Sequence, residues 1–157
     1  MRMLPSSSRA LAVLGTALTL GTAAGAQQTS FESLNACQRV PAAEIAKAVS
    51  GRPIDDRPIN FKGLPAARCV YGIEIAGTRR AFVVWLNPVG DFEDLRKGSA
   101  SPTTGVKGVG DDAFATTDPD TKRVQLTARL RGKVTVQVTA ERLDWAQDAA
   151  KVALSKF

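Results

Sequence analysis

Histidine is missing from all 157 residues. That excludes His-based catalytic triads, imidazole-ligated metals and imidazole titration switches. Cysteine occurs twice, too few for a four-thiolate zinc site or an iron–sulfur cluster. Aromatic residues are scarce at 6%, with one tyrosine and two tryptophans. No basic run exceeds the pairs Arg79-Arg80, Arg96-Lys97 and Lys122-Arg123. Clustered charge interleaved with aromatics is the mark of a nucleic-acid binder, so none is expected here. A phosphate cradle is missing too: Gly108-Val109-Gly110 runs into Asp111-Asp112, which would repel phosphate. Neither cofactor nor metal is expected. Beyond these absences the composition is that of a globular protein, 44% hydrophobic and 23% charged.

The first residues read as a secretory leader. Met1 to Arg9 carries two arginines and no acid, Ala10 to Leu20 is apolar, and Ala24-Gly25-Ala26 closes the segment. This is the three-part pattern of a signal peptide cleaved after Ala26. The apolar run is shorter than the roughly 20 residues a spanning helix needs, so no transmembrane helix is expected once the leader is removed. Losing Arg2 and Arg9 lowers the net charge by two, from +6 to +4. Leu34-Asn35-Ala36-Cys37 has the look of a lipobox. The mixed stretch Gln27 to Ala36 separates it from the apolar run, so a soluble periplasmic or secreted protein is the expectation. The predicted organisation is a leader over 1–26, a short polar lead-in over 27–36 and a single domain over 37–157.

Export places Cys37 and Cys69 in an oxidising compartment, where an even count reads as a disulfide. A redox pair is expected closer together, as in C-x-x-C.

Periodicity predicts the elements. Pro41 to Ser50 reads as a helix stopped by Gly51. Gly51 to Leu64 reads as a loop because of Pro53, Pro58 and Gly63. Cys69 to Ile75 alternates, with Cys69, Tyr71, Ile73 and Ile75 on one face. Together with the apolar run Ala81 to Leu86 it makes a hairpin turning at Gly77-Thr78. Asp91 reads as the N-cap of a short helix over Phe92 to Lys97. A loop and a glycine turn lead to a strand over Ala113 to Thr116. The strands Arg123 to Leu130 and Val134 to Thr139 then form a second hairpin, with Leu130 opposite Val134. Arg142 to Phe157 is an amphipathic helix whose apolar face includes Leu143, Trp145, Ala146, Ala149, Ala150 and Ala153. The fold class is α+β, an antiparallel β-sheet flanked by an N-terminal and a C-terminal helix, with one disulfide.

Candidates for chemistry are few. The acid pairs Asp55-Asp56 and Asp111-Asp112 could serve acid–base work or hold a cation. Neighbours on a strand point to opposite faces, so turn formation is the simpler role. The polar face of the last hairpin carries Arg123, Gln125, Thr127, Arg129, Thr135, Gln137 and Thr139. Such a face can bind an anionic or carbohydrate ligand, with Arg123, Gln125, Arg129 and Gln137 as its contacts, or be the wet side of a sheet.

The order of these features is a pattern in itself. A leader precedes a cysteine and a Pro-Ala-Ala-Glu-Ile helix ending at Gly51. A second cysteine sits in Arg68-Cys69-Val70-Tyr71. Gly108 to Phe114, a hairpin and an Ala-rich C-terminal helix follow. It resembles small bacterial secreted or lipoprotein domains related to the PsbP-like α/β sandwich, and is similar to extracellular sensor domains of some bacterial kinases. The resemblance implies a sheet flanked by helices, a Cys37–Cys69 bridge and a binding or accessory role. It supplies no catalytic residue to carry over.

Three functions are compatible with this reading. The first is an exported, non-catalytic binding or accessory module, with a small anionic ligand among its expected partners. The second is a carboxylate-dependent hydrolase built on Asp111 and Asp112. The third is an inhibitor or interaction protein that docks on another envelope protein through Trp85 or Trp145.

Overall fold

The computed structural model describes Phe31 and residues 33–60 and 66–157. The predicted leader, the start of the lead-in and the end of the predicted 51–64 loop lie outside these residues. Among those described, seven strands form one antiparallel sheet in the order β1-β2-β3-β7-β6-β5-β4. They are β1 (Arg52–Asn60), β2 (Ala67–Ile75), β3 (Thr78–Asn87), β4 (Thr104–Gly105), β5 (Asp112–Thr117), β6 (Val124–Leu130) and β7 (Val134–Ala140). Four helices accompany them: α1 (Ala36–Arg39), α2 (Ala42–Ala48), α3 (Asp91–Lys97) and α4 (Leu143–Leu154). None is long and apolar enough to cross a membrane.

Two meanders, β1–β3 and β4–β7, meet where β7 pairs with β3. The chain leaves β3 in mid-sheet and must reach β4 at the far edge. It crosses one face of the sheet to do so and forms α3 on the way. α1, α2 and α4 all pack on the opposite face. The flanking helices therefore lie side by side on one layer.

That layer holds the main core. Alternation puts Cys69, Tyr71 and Ile73 of β2, Phe82, Val84 and Leu86 of β3, and Val134, Val136 and Val138 of β7 on it, all buried. Ala146, Ala149, Ala150 and Ala153 recur at helical spacing on α4 and are fully buried, so the helix backbone lies close against the sheet. Leu143, expected on this face, is 39% exposed at the helix start, and Leu154 near the other end is buried instead. The last hairpin keeps the expected register, with Leu130 opposite Val134.

Cys37 and Cys69 are joined, with Cα atoms 5.2 Å apart, inside the usual span of a disulfide. The bridge ties α1 to β2 in the core. It also commits the Cys37 sulfur, which removes the thiol that the lipobox alternative would acylate. Phe31 of the lead-in is buried and lies 6.1 Å from the ring of Phe157.

Two elements differ from expectation. The stretch from Arg52 is β1, not a loop. Its prolines are tolerated because an edge strand needs backbone N–H groups on one side only. A register shift between Pro53 and Asp55 and near-continuous exposure erase any apolar period. The helix α1 is a single turn at the boundary between the expected lead-in and the domain, capped by Asn35, whose Oδ1 accepts from the Gln38 N–H at 3.2 Å. Smaller differences follow local chemistry. Gly90, not Asp91, is the N-cap of α3. At the end of α2 it is Ser50 that takes the left-handed conformation (φ 55°). The Gly51 N–H then closes on the Ala46 carbonyl at 2.7 Å, a Schellman ending. A Cβ on Gly51 would stand 2.8 Å from the Glu74 carbonyl oxygen, so its requirement is closeness to β2.

The one tyrosine is a reporter of this core. Tyr71 is fully buried, and its hydroxyl donates to the Val40 carbonyl at 2.8 Å. Burial, and secondarily the Asp56 carboxylate across the β1–β2 ladder, push its pKa far above the ordinary phenol value. The unfolded chain loses this proton near pH ~10. The folded chain keeps it, so this contribution to stability is complete below that pH and is lost as the pH rises further. Phenolate absorbance should stay silent through the ordinary range and rise only as the protein unfolds. Tyr71→Phe should cost about 1–3 kcal/mol at neutral pH by leaving the Val40 carbonyl unpaired, measured by urea unfolding. A smooth phenolate titration in the folded protein would contradict this account.

Candidate functional site

The face opposite the main core is polar in its centre. Odd positions of β3, β6 and β7 and even positions of β5 point to it. Strand pairing sets Trp85 opposite Gln137, Gln137 opposite Thr127, and Thr127 opposite Phe114. This row spans four strands, roughly 14 Å at ordinary strand spacing. The next row is Thr139, Gln125 and Thr116. α3 and the Gly98–Ser101 segment rise beside these rows and make a half-open cleft of about 760 Å³. Small-molecule sites usually span about 300–1,000 Å³.

The α3 wall is held by one side chain above all. Phe92 is fully buried, its ring centroid 5.4 Å from that of Phe114 in an edge-on arrangement. The Arg129 guanidinium lies 4.4 Å from the Phe92 centroid and pairs with Glu93 at 3.1 Å and Asp112 at 3.2 Å. Arg129 thus faces the expected side of the sheet but lies under α3, and does not line the cleft. Arg123, Gln125 and Gln137 do line it. Parity alone cannot separate these fates, since the contact with Phe92 and Glu93 joins distant segments.

The lining is mostly neutral. Asn87 donates through Nδ2 to Gln137 Oε1 at 3.4 Å, and Gln137 Nε2 to Thr127 Oγ1 at 3.5 Å, a chain of long hydrogen bonds across three strands. Among the described residues, the side chains of Thr139, Gln125 and Thr116 have no hydrogen-bond partner, although each is half-buried. Arg123 donates to the Ala81 carbonyl at 2.6 Å. Asp118 accepts from the backbone N–H groups of Asp120 and Thr121 at 2.9 and 2.7 Å, which lowers its pKa. Asp91 at the foot of α3 is pushed up by burial and then by Asp94. Trp85 stands at the end of the first row, with the Arg68 guanidinium 4.8 Å from its ring centroid.

The acid pairs sit elsewhere. The Asp111 carboxylate accepts from the Arg131 N–H at 2.8 Å and is exposed, while Asp112 is paired with Arg129. Gly110, just before them, has φ 61°, and a Cβ there would collide with the Arg129 carbonyl. This is turn chemistry closing β5 onto β6. Asp55 pairs with Arg79 at the opposite edge of the sheet. Among the described residues no three metal-ligating side chains come together.

Among the lining residues, Asn87 and Thr116 were passed over by sequence reasoning, and Trp85 was expected only as a docking residue. The available signal was parity: Trp85 is out of phase with Phe82, Val84 and Leu86, and an indole there has to face the other layer.

No protein-family model, no curated protein and no solved structure matches this chain. The functional reading therefore rests on the cleft.

Proposed function

We propose that this chain is an exported, non-catalytic binding module whose ligand occupies the cleft between α3 and the polar face of the sheet. The observation that carries the reading is the row Thr139–Gln125–Thr116, half-buried on three neighbouring strands with no protein hydrogen-bond partner among the described residues. Polar side chains set in concave ground without protein partners are what a ligand with donors and acceptors would satisfy. The disulfide is compatible with an extracellular place of work. The hydrolase alternative finds less support, because Asp111 and Asp112 are engaged by Arg131 and Arg129. Docking through Trp145 is likewise poorly supported, since that ring packs 6.2 Å from Phe82 beneath Arg142.

Native mass spectrometry of the chain, recovered without reductant from the cells that produce it, tests the proposal. A non-covalent adduct should be released on collisional activation. The double variant Gln125→Leu/Thr116→Val should lose the adduct while its thermal unfolding stays close to that of the parent. An unliganded parent, or an adduct that the variant keeps, would overturn the assignment of the cleft.

A further inference from the structure

Resting on the cleft as the binding site, we infer the class of its ligand: a neutral, polyhydroxylated ring compound, a short stretch of uncharged oligosaccharide. Three observations converge on it. The first is charge. The side chains that border the cleft include two carboxylates, Asp91 and Asp118, against one guanidinium, Arg123. Arg123 donates to the Ala81 carbonyl through one terminal nitrogen, and its buried Nε has no partner among the described residues. With the Arg68 guanidinium at the Trp85 ring, the charges at and beside the cleft balance, and net charge does not favour a small anion.

The second observation is the kind of hydrogen-bonding group. Thr139, Gln125 and Thr116 each offer both a donor and an acceptor. A sugar hydroxyl is also both at once, so a row of vicinal hydroxyls can engage an amide flanked by two hydroxyls. A carboxylate or phosphate could use only the donors and would leave the acceptors facing lone pairs.

The third is the aromatic wall. Trp85 borders the cleft at the end of the neighbouring row, and the Arg68 guanidinium stacks at its ring and restrains it. An indole held in place offers an apolar plane beside a polar floor. Pyranose rings have that same division, an apolar C–H face and a rim of hydroxyls. The floor is roughly 14 Å wide across its strands, longer than a single ring needs.

Isothermal titration of the whole chain with a panel of neutral oligosaccharides (malto-, cello-, manno- and chitotetraose) gives the test, with citrate and inorganic phosphate as the anionic arm. At least one neutral sugar should bind. Trp85→Ala and Gln125→Leu should each weaken it about tenfold or more, while Trp145→Phe leaves it unchanged. Gln125→Leu is the sharper variant, because Gln125 has no hydrogen-bond partner among the described residues and its loss should not move the unfolding temperature. If anions bind, neutral sugars do not, and Arg123→Ala abolishes the anion, the ligand class is wrong and the cleft remains the site. Should no member of either arm bind while the native adduct persists, the ligand class again falls and the cleft stands. Sugar binding unaffected by both Trp85→Ala and Gln125→Leu would overturn the two readings together.

Discussion

Replacing Cys37 and Cys69 together by alanine is expected to lower the melting temperature by roughly 10–15 °C. The two residues are 32 positions apart. Closing a loop of that length removes about 3–4 kcal/mol of chain entropy from the unfolded state. The native state should change little, because Tyr71 and its bond to the Val40 carbonyl also hold this corner to the sheet. The loss should therefore appear in the unfolding transition and not in the cleft, which lies on the other face. Differential scanning calorimetry of the parent, the parent with reductant and the double variant measures it. Equal melting temperatures for all three would mean that the bridge contributes nothing. Cys69 is fully buried and Cys37 nearly so. Reductant is accordingly expected to act only as the protein unfolds, giving a slow rate that follows global opening.

Phe92→Ala should have the second large effect, and a different character. Truncating a fully buried phenylalanine costs about 3–5 kcal/mol. Here the ring does not belong to the main core; it packs with Phe114 and Arg129 on the opposite face. The cost should fall on the attachment of α3 before it falls on the sheet. Hydrogen exchange would then show the 92–98 amides losing protection while β6 and β7 keep theirs. Ligand binding should collapse with the wall. A uniform loss of protection across the sheet would show that α3 and the main core unfold as one unit.

The main core was largely legible from the sequence, because strict alternation at 124–130 and 134–139 and the small-residue stripe of the last helix leave little choice of face. The disulfide was legible from a cysteine count and an exported context. What escaped has a common cause. β1 carries no apolar period, since it is exposed along nearly its whole length, and its two prolines argue against a strand anywhere but an edge. α1 is one turn long, too short for periodicity, although Asn35 marks its start. Half of the cleft could be read from parity, which places Arg123, Gln125 and Gln137 on a polar face. The other half depends on β7 pairing with β3, which brings Trp85 opposite Gln137. No local pattern encodes that pairing. The fate of Arg129 depends on α3 folding over it, again a matter of tertiary contact.

The proline-bearing edge has a consequence for how the molecule behaves in a crowd. Among the described residues the seven-stranded sheet has two borders, and an unpaired border is a template on which another chain can add a strand. On one side Pro53 and Pro58 delete donors, and Arg52, Asp55, Asp56 and Arg57 surround them with charge of both signs. On the other side β4 is two residues long and offers too short a ladder to recruit a neighbour. The sheet is thereby terminated at both ends by composition and by length, and should resist sheet-to-sheet aggregation.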